Sequence, residues 1–550
     1  MCRVVGSLNP NMTDSVSSEL REVERQVDNE FLKNALMSEP FARATWHFFA
    51  HFEDHFARQY VHAPDDELHY HALADNLINH SRWALKWLSS TCPPSSTKPP
   101  AYDDALYSHA MHLSELAMDY GPFTAAYTYA SCGLVNLLLE GSRIRTSGSM
   151  IDDAQYEAYD HALMNKSDSS MLDDFDPSFM EEVHMSLRVR GQSFDYSLNP
   201  KIVQRAVESL GPIIDARFSL PDDWSFAMFT LDDFRRVARV LFALSLIHFL
   251  SRLSAALGGC PGNGIARALL LMESNELLDR LTRYCGIKRS TIIEIVQMLT
   301  YGSSGQKNAD PALQPLIKLS PSCIAISPNL LMNSSIERNF SVLLNRLPAE
   351  RDGYTVLSNT KEQAMISRLK AGLSGLGFRF WSGCITRWAT ASEVDLAISC
   401  DDERRAFVLE LKAFTAPADP REVCERSEEI EKGISQIRTR KAAFAAGPQF
   451  LFDSLGIDDT YTVTWAVVSE TSIGAPYVQD PTIPVVNARH LVKRLRKDGT
   501  LAGVSSWLEN RSYLPLDGVH YRRIPRAVRI SKWILDWYGV DVLTDDYISL

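Results

Sequence analysis

Asp395, Glu410 and Lys412 are the residues whose types and spacing could do chemistry. They lie in EVDLAISCDDERRAFVLELK, residues 393–412, where two apolar runs flank the charged turn CDDERR. Alternate residues of a strand share a face, so Glu410 and Lys412 are neighbours while Leu409 and Leu411 turn to the other side. If the strand of Asp395 pairs antiparallel with that of Glu410, two carboxylates and an ammonium converge. Such a pair of carboxylates suits a hard divalent cation, Mg²⁺ or Mn²⁺, which prefers oxygen ligands and keeps part of its water shell. The backbone carbonyl of Leu411 is a further candidate ligand. Lys412 is placed to hold or polarise an attacking water and to offset charge in the transition state. Hydrolysis of a phosphodiester is one reaction that needs such a cation, to relieve charge on the phosphate and activate water. Against this stand plainer roles: a strand-end lysine paired with Glu410, and an edge-strand carboxylate at Asp395. Glu393, on the strand face of Asp395, is either another ligand or an exposed neighbour.

The elements that must position these groups can be read around them. Thr360-Lys361-Glu362-Gln363 has the form of a capping box opening a helix. Its apolar stripe is Ile366, Leu369, Leu373 and Leu376, and Gly375 and Gly377 close it. Glu362 falls on that stripe, where either a metal ion or the helix dipole would stabilise its charge. Strand-like runs follow in GFRFWSG, SEVDLAIS and RAFVLELKAF. Asp419 and Pro420 then have the N-cap and first-turn chemistry of a long helix ending at Gly447-Pro448. TYTVTWAVVSE and TIPVVN read as two more strands, and ARHLVKRLRK and VSSWLENR as helices. This order predicts a mixed sheet flanked by helices.

Glu362 on the preceding helix, Glu393-Val394-Asp395, and Glu410-Leu411-Lys412 together resemble the PD-(D/E)XK nuclease superfamily, whose members share the restriction-endonuclease-like fold. The resemblance covers roughly residues 335–500. The proline of the family motif is absent, Val394 standing before Asp395. The resemblance implies the family's core topology, divalent-metal chemistry and cleavage of nucleic acid. It also implies a supporting role for Gln436, in Gly433-Ile434-Ser435-Gln436 on the helix after the third strand. Asp395, Glu410, Lys412, Glu362 and Gln436 are then the expected catalytic set, with Asp395, Glu410, Leu411 and Glu362 as the expected metal ligands. Basic residues Arg438, Arg440 and Lys441 on the same helix, and Lys493 and Arg494 in RHLVKRLRK, are candidates for contact with nucleic-acid phosphates, as is YRRIPRAVR near residues 522–529. A solvated basic face is the other reading of each.

The rest of the chain reads mainly as helix. His47, His51 and His55 recur at i, i+4 and i+8 in ATWHFFAHFEDHFARQY, with Asp54 and His69 nearby. They form either a metal stripe or a polar, half-buried helix face; there is no HExxH and no specified third ligand. CPPSSTKPPAYDD interrupts the helices. Residues 146–178 are acidic and poorly periodic, which predicts a loop or partly disordered insert. LDDFRRVARVLFALSLIHFLSRL has the apolar density of a central bundle helix. LLDRLTRYCGIKRSTIIEIVQMLT has helix-turn-helix length, with Lys288, Arg289 and Ser290 opening its second helix; it is either a DNA-contacting unit or an ordinary helical hairpin. YGSSGQKNADP reads as a linker, and LQPLIKLSPSCIAISPNLLM as short strands with turns at the prolines.

With 550 residues the chain needs several domains. We expect a helical domain over 1–145, the insert over 146–178, a second helical domain over 179–333, and the α/β nuclease-like domain over 334–550. The net charge of −12 excludes a protein that simply coats nucleic acid; binding must come from a local patch. Nine cysteines without CxxC spacing imply free thiols and a cytoplasmic setting. The opening MCRVVGSLNPNMTDS lacks a signal-peptide core, and the most apolar run, Val240–Leu250, is short for a membrane span, so no membrane role is expected. There is no GxxxxGK[ST], hence no expected ATPase. The expected function is an Mg²⁺- or Mn²⁺-dependent nuclease acting on DNA, in defence or repair by analogy alone. The alternative is a nucleic-acid-binding or assembly module that does not cut. In the first, the helical N-terminal part restricts when or where cutting occurs; in the second, it recruits a protein partner, and that region is the candidate contact for one.

Overall fold

Strands buried on both faces carry continuous apolar runs, and this is how the sheet beneath Asp395 and Glu410 is built. The computed structural model describes residues 14–62, 67–94, 101–165, 177–303 (without Gln192, Arg217, Ser219 and Asp222), 309–387 and 392–549. The described chain divides into two compact units. One comprises Met1–Val23, Pro122–Ser167 and Ser358–Leu550, and the other Glu24–Gly121 and Asp168–Leu357. Neither is continuous in sequence, so the division differs from the four successive segments expected. Helices dominate the N-terminal and middle regions, and the main sheet lies in the C-terminal region.

In the first unit, helix α1 (Lys361–Gly372) leads into β1 (Arg379–Ile385), β2 (Ser392–Cys400) and β3 (Arg405–Lys412). Helix α2 (Pro420–Ala446) follows, then β4 (Thr462–Ser469), β5 (Val485–Asn487), α3 (Ala488–Asp498) and α4 (Leu501–Glu509). The sheet order is β5-β4-β3-β2-β1. β1, β2 and β3 are antiparallel in succession, while β4 runs parallel to β3 and β5 parallel to β4. The interiors of β2, β3 and β4 are buried throughout.

Helix α2 covers one face. Asp419 caps it by accepting the Glu422 N–H, and Pro420 occupies the first turn, as the sequence predicts. Ile430, Ile434 and Ile437 are fully buried beneath it, each worth about 1.5–3 kcal/mol of transfer free energy. On the other face Ser505 of α4 hydrogen-bonds Thr464 of β4, which pairs with Phe407 of β3. The side of Phe407, Leu409 and Leu411 is therefore the α4 side. Helix α1 packs on α3, where a side chain at Gly372 would press within 3.0 Å of Val492. The capping box expected at Thr360 does not form; its side chain does not cap α1.

The sequence reading missed the second sheet of this unit. Its order is Asn136–Glu140, Arg143–Ser147, Trp533–Val542, Tyr521–Ile530. Between the two sheets lies helix Gln155–Asn165, within the stretch expected to be a loop; residues 166–176 of that stretch lie outside the described residues. Tyr159 reaches His490 of α3 at 2.9 Å, and Glu157 on the same helix accepts the Tyr538 hydroxyl at 2.7 Å. The helix is amphipathic in two directions, which blurs the single-face periodicity a sequence reading relies on.

The second unit is organised on helix Leu231–Leu257, opened by a reciprocal capping box between Thr230 and Asp233. The helix is long and apolar enough to cross a membrane, but 78% of its most apolar window is buried inside the protein. Arg252 on this helix is buried against Asp54 at 2.8 Å, and Tyr107 and Arg58 also hold that carboxylate. Helices Ser274–Cys285 and Arg289–Leu299 form the predicted helical hairpin, turning at Gly286 with φ 67°. Arg289 is paired with Asp279 across that turn. The short strands Leu316–Ser320 and Cys323–Ile326 form where expected. Parts of CPPSSTKPPAYDD and YGSSGQKNADP, and residues 1–13, lie outside the described residues.

Candidate functional site

The β2–β3 ladder pairs Arg405 with Cys400 through to Leu409 with Leu396. Carried past its last pair, that register sets Asp395 opposite Glu410 and Glu393 opposite Lys412, all on the face under α2. The strands part at this point because Asp395 replaces the ladder: its Oδ2 accepts the Leu411 N–H at 2.7 Å. The Lys412 carbonyl accepts from Glu470 on the β4 side. The Leu411 carbonyl, one residue earlier, therefore points to the β2 side, past the last paired residue.

Gly433 brings α2 down onto this face. A Cβ there would sit 2.8 Å from Lys412 Cε and 3.4 Å from both Glu410 Cγ and Val467 Cγ1. Gln436 and Arg440 follow at +3 and +7, on the same stripe. The Lys412 ammonium donates to Glu410 Oε1 at 2.6 Å and to Gln436 Oε1 at 3.0 Å. Arg440 pairs with Glu410 Oε2, approaches Asp395 Oδ1 at 3.9 Å, and donates to Ser392 Oγ at 3.2 Å. Glu410, Arg440 and Asp395 are 2%, 3% and 8% exposed. A buried carboxylate with two charge-assisted partners is held in one geometry.

Burial pushes the Asp395 carboxyl up to about 7, and the neighbouring Glu410 adds to the rise. Burial also raises Glu362, followed by repulsion from Glu410, and Lys412, Glu393 and Arg440 act on it too. The first turn of α1 thus stands at the ends of β2 and β3, although α1 packs with α3 and not beside α2. Of the expected catalytic residues, Asp395, Glu410, Lys412 and Gln436 meet by direct or shared contacts, and Glu362 joins their electrostatic neighbourhood.

The phosphate-contact candidates divide. Arg440 is an internal residue of the site rather than a surface cation, since the stripe of Gly433 and Ile437 carries it inward. Arg438 is paired with Asp480, and Arg494 with Asp498 at 2.9 Å. Lys441 and Lys493 are half-buried. The histidine stripe is an internal face: His47 Nδ1 meets the Arg43 carbonyl at 2.7 Å and its Nε2 accepts the Asp103 N–H at 3.1 Å. Both ring nitrogens are occupied, and burial lowers His51 to about 4. The His69 side chain lies outside the described residues.

Among the described residues no group of three or more His, Cys, Asp or Glu side chains is arranged to hold a metal ion. A cage of that kind is not what Mg²⁺ requires, because it is commonly held by one or two carboxylates, waters and substrate phosphate. Four carboxylates, Glu362, Glu393, Asp395 and Glu410, face two cations, Lys412 and Arg440. When all are ionised the surplus is two negative charges, and the donors are all hard oxygen. Those donors are of the hard-oxygen type that a divalent cation takes.

Compared with protein-family models, curated proteins and solved structures, the chain finds no match.

Proposed function

We propose that the chain is a metal-dependent nuclease of the restriction-endonuclease-like fold, hydrolysing phosphodiester bonds of nucleic acid, with DNA as the expected substrate. The observation that carries this reading is the meeting of Asp395, Glu410, Lys412 and Gln436 at the open end of an antiparallel β2–β3 pair, with β4 parallel to β3 and α2 across them. Asp395, Glu410 and the Leu411 carbonyl would hold Mg²⁺ or Mn²⁺, with Glu362 as an outer ligand. When bound, the cation supplies charge neutralisation at the phosphate and an acidified water. Lys412, aimed by Glu410 and Gln436, presents an ammonium where negative charge develops. Gly433 and the α2 stripe hold that ammonium in place and exclude water from the apolar side.

A second reading has a specific observation behind it. Arg440 already gives Glu410 and Asp395 a buried positive charge, the service a metal would render. In that reading the domain binds nucleic acid without cutting it, and the helical region recruits a protein partner.

The deciding experiment assays single-stranded, duplex and branched DNA, and RNA, with Mg²⁺ or Mn²⁺, alongside calorimetric Mg²⁺ titration. Asp395→Ala, Glu410→Ala and Lys412→Ala should each abolish cleavage while leaving the circular dichroism spectrum unchanged. Full activity in all three variants would overturn the nuclease reading. Nucleic-acid binding without Mg²⁺ uptake or cleavage would establish the second.

A further inference from the structure

The four-stranded sheet of the first unit carries charge opposite to that of the chain. Its strands and hairpin turn hold seven cations, Arg143, Arg145, Arg522, Arg523, Arg526, Arg529 and Lys532, against three carboxylates, Glu140, Asp536 and Asp541. Each carboxylate is already taken: Glu140 by Arg145 at 2.7 Å, Asp536 by Arg143 at 2.7 Å, and Asp541 by Arg522 at 2.8 Å. Arg523 leans on the Ile151 carbonyl at 2.8 Å and stands 4.0 Å from Asp152. Arg526, Arg529 and Lys532 make no ion pair among the described residues, and Lys532 lies over the Trp533 ring at 4.6 Å.

These cations sit on an edge. Tyr521–Ile530 ends the sheet, paired only with Trp533–Val542, and its four arginines are exposed. Arg522 and Arg526 project to one face, Arg523 and Arg529 to the other. Ten residues at ~3.4 Å each make a ridge roughly 30 Å long. Gly539, opposite Ile524, leaves room for the Arg526 guanidinium: a Cβ there would be 2.8 Å from its Nε.

We infer that this edge strand is a binding surface for the phosphate backbone of nucleic acid, which runs along the free edge and meets Arg526 from one face, Arg529 and Arg523 from the other, and Lys532 at the turn. Guanidinium groups suit phosphate oxygens, and such contacts supply affinity without sequence preference. The inference deepens the nuclease reading by giving it a surface for substrate outside the carboxylate–lysine site. The plainer role of charges and a proline on an edge strand is to block edge-to-edge association. Glutamate at the same positions preserves that protection and reverses the charge, so it separates the two roles.

The experiment uses the full chain in EDTA, so that binding is read without cleavage, with labelled duplex DNA, single-stranded DNA and RNA followed by fluorescence anisotropy over a salt series. Arg526→Glu/Arg529→Glu/Lys532→Glu should weaken binding on the order of 10²-fold at ~0.1 M salt. It should also reduce the log–log salt slope by about 2.7 for duplex and about 2.1 for single strands, at roughly 0.9 and 0.7 per phosphate contact. Unchanged affinity and slope, with the variant folded and in the parent's oligomeric state, would overturn the inference. Slope loss in the edge variant of a chain that never cleaves would reject the nuclease reading and keep this one; cleavage with an unchanged slope would do the reverse.

Discussion

Replacing Arg440 by methionine keeps the length of the side chain near the sheet and removes its charge. In the folded protein Arg440 is 3% exposed and its guanidinium serves Glu410, Asp395 and Ser392 together. Taking away one partner of a buried ion pair leaves an uncompensated charge and costs about 3–5 kcal/mol. Lys412 remains on Glu410 Oε1, so the lower part of that range is expected. For a unit of this size each kcal/mol moves the melting temperature about 2–4 °C, which gives a fall of roughly 6–12 °C at about 3 kcal/mol. The same substitution raises the negative surplus around Asp395 and Glu410. Divalent cation should therefore bind more tightly and restore stability, by about 2.7 kcal/mol at a hundred times its dissociation constant. The assay is thermal unfolding followed by tryptophan fluorescence, first in EDTA and then over a Mg²⁺ titration, for the parent and Arg440→Met. A variant that melts with the parent in EDTA would refute the claim that Arg440 neutralises the site. A variant that melts lower but gains nothing from Mg²⁺ would refute the claim that its carboxylates suit a cation.

Two further outcomes are expected. Gly433→Ala should displace the Lys412 ammonium, because the new methyl carbon falls 2.8 Å from Cε; cleavage should drop about 10²-fold, the usual cost of an ångström of misplacement, while the melting temperature moves by only a few degrees. Asp160 accepts the Ile473 N–H at 3.2 Å and the Ser472 hydroxyl, and burial pushes its carboxyl up to about 7. With the folded pKa above the unfolded value near ~4, its contribution to stability is present at low pH and is lost as pH rises to 7, at no more than about 1.4 kcal/mol per pH unit. Melting curves from pH 5 to 8 should show that decline in the parent and a flatter profile in Asp160→Asn, which should be the more stable of the two above pH 7.

The elements around the β2–β3 pair were legible because each is signalled twice. Buried strands announce themselves by runs such as AFVLEL, and α2 is bracketed by Asp419-Pro420 and Gly447-Pro448. Arg440 was misplaced because residue type outweighed position: it lies seven residues after Gly433 and three after Ile437, and that spacing already puts it on the inward stripe. The hairpin Tyr521–Val542 escaped notice because it turns at Ser531-Lys532, without the glycine or asparagine that marks a two-residue turn, although Ser531 adopts φ 54°. Its alternation is also weak, since polar and apolar residues share each face. No local pattern could reveal that residues 122–167 pack with the C-terminal region, because that pairing depends on partners hundreds of residues away.

That long-range closure constrains how the protein is made. Arg143–Ser147 pairs in parallel with Trp533–Val542, and the Thr146 hydroxyl bonds the Asp536 carbonyl 390 residues downstream. At about 5–20 residues per second, a ribosome takes some 20–80 s to supply the missing strand. For most of that interval helix Gln155–Asn165 has neither of the sheets it separates, and its Tyr156 and Tyr159 lack the core they enter. The burial of these two tyrosines therefore waits on segments made much later. The carboxylate–lysine site, encoded late, gains the whole of its supporting core only as synthesis nears Val542, Tyr547 and Ile548.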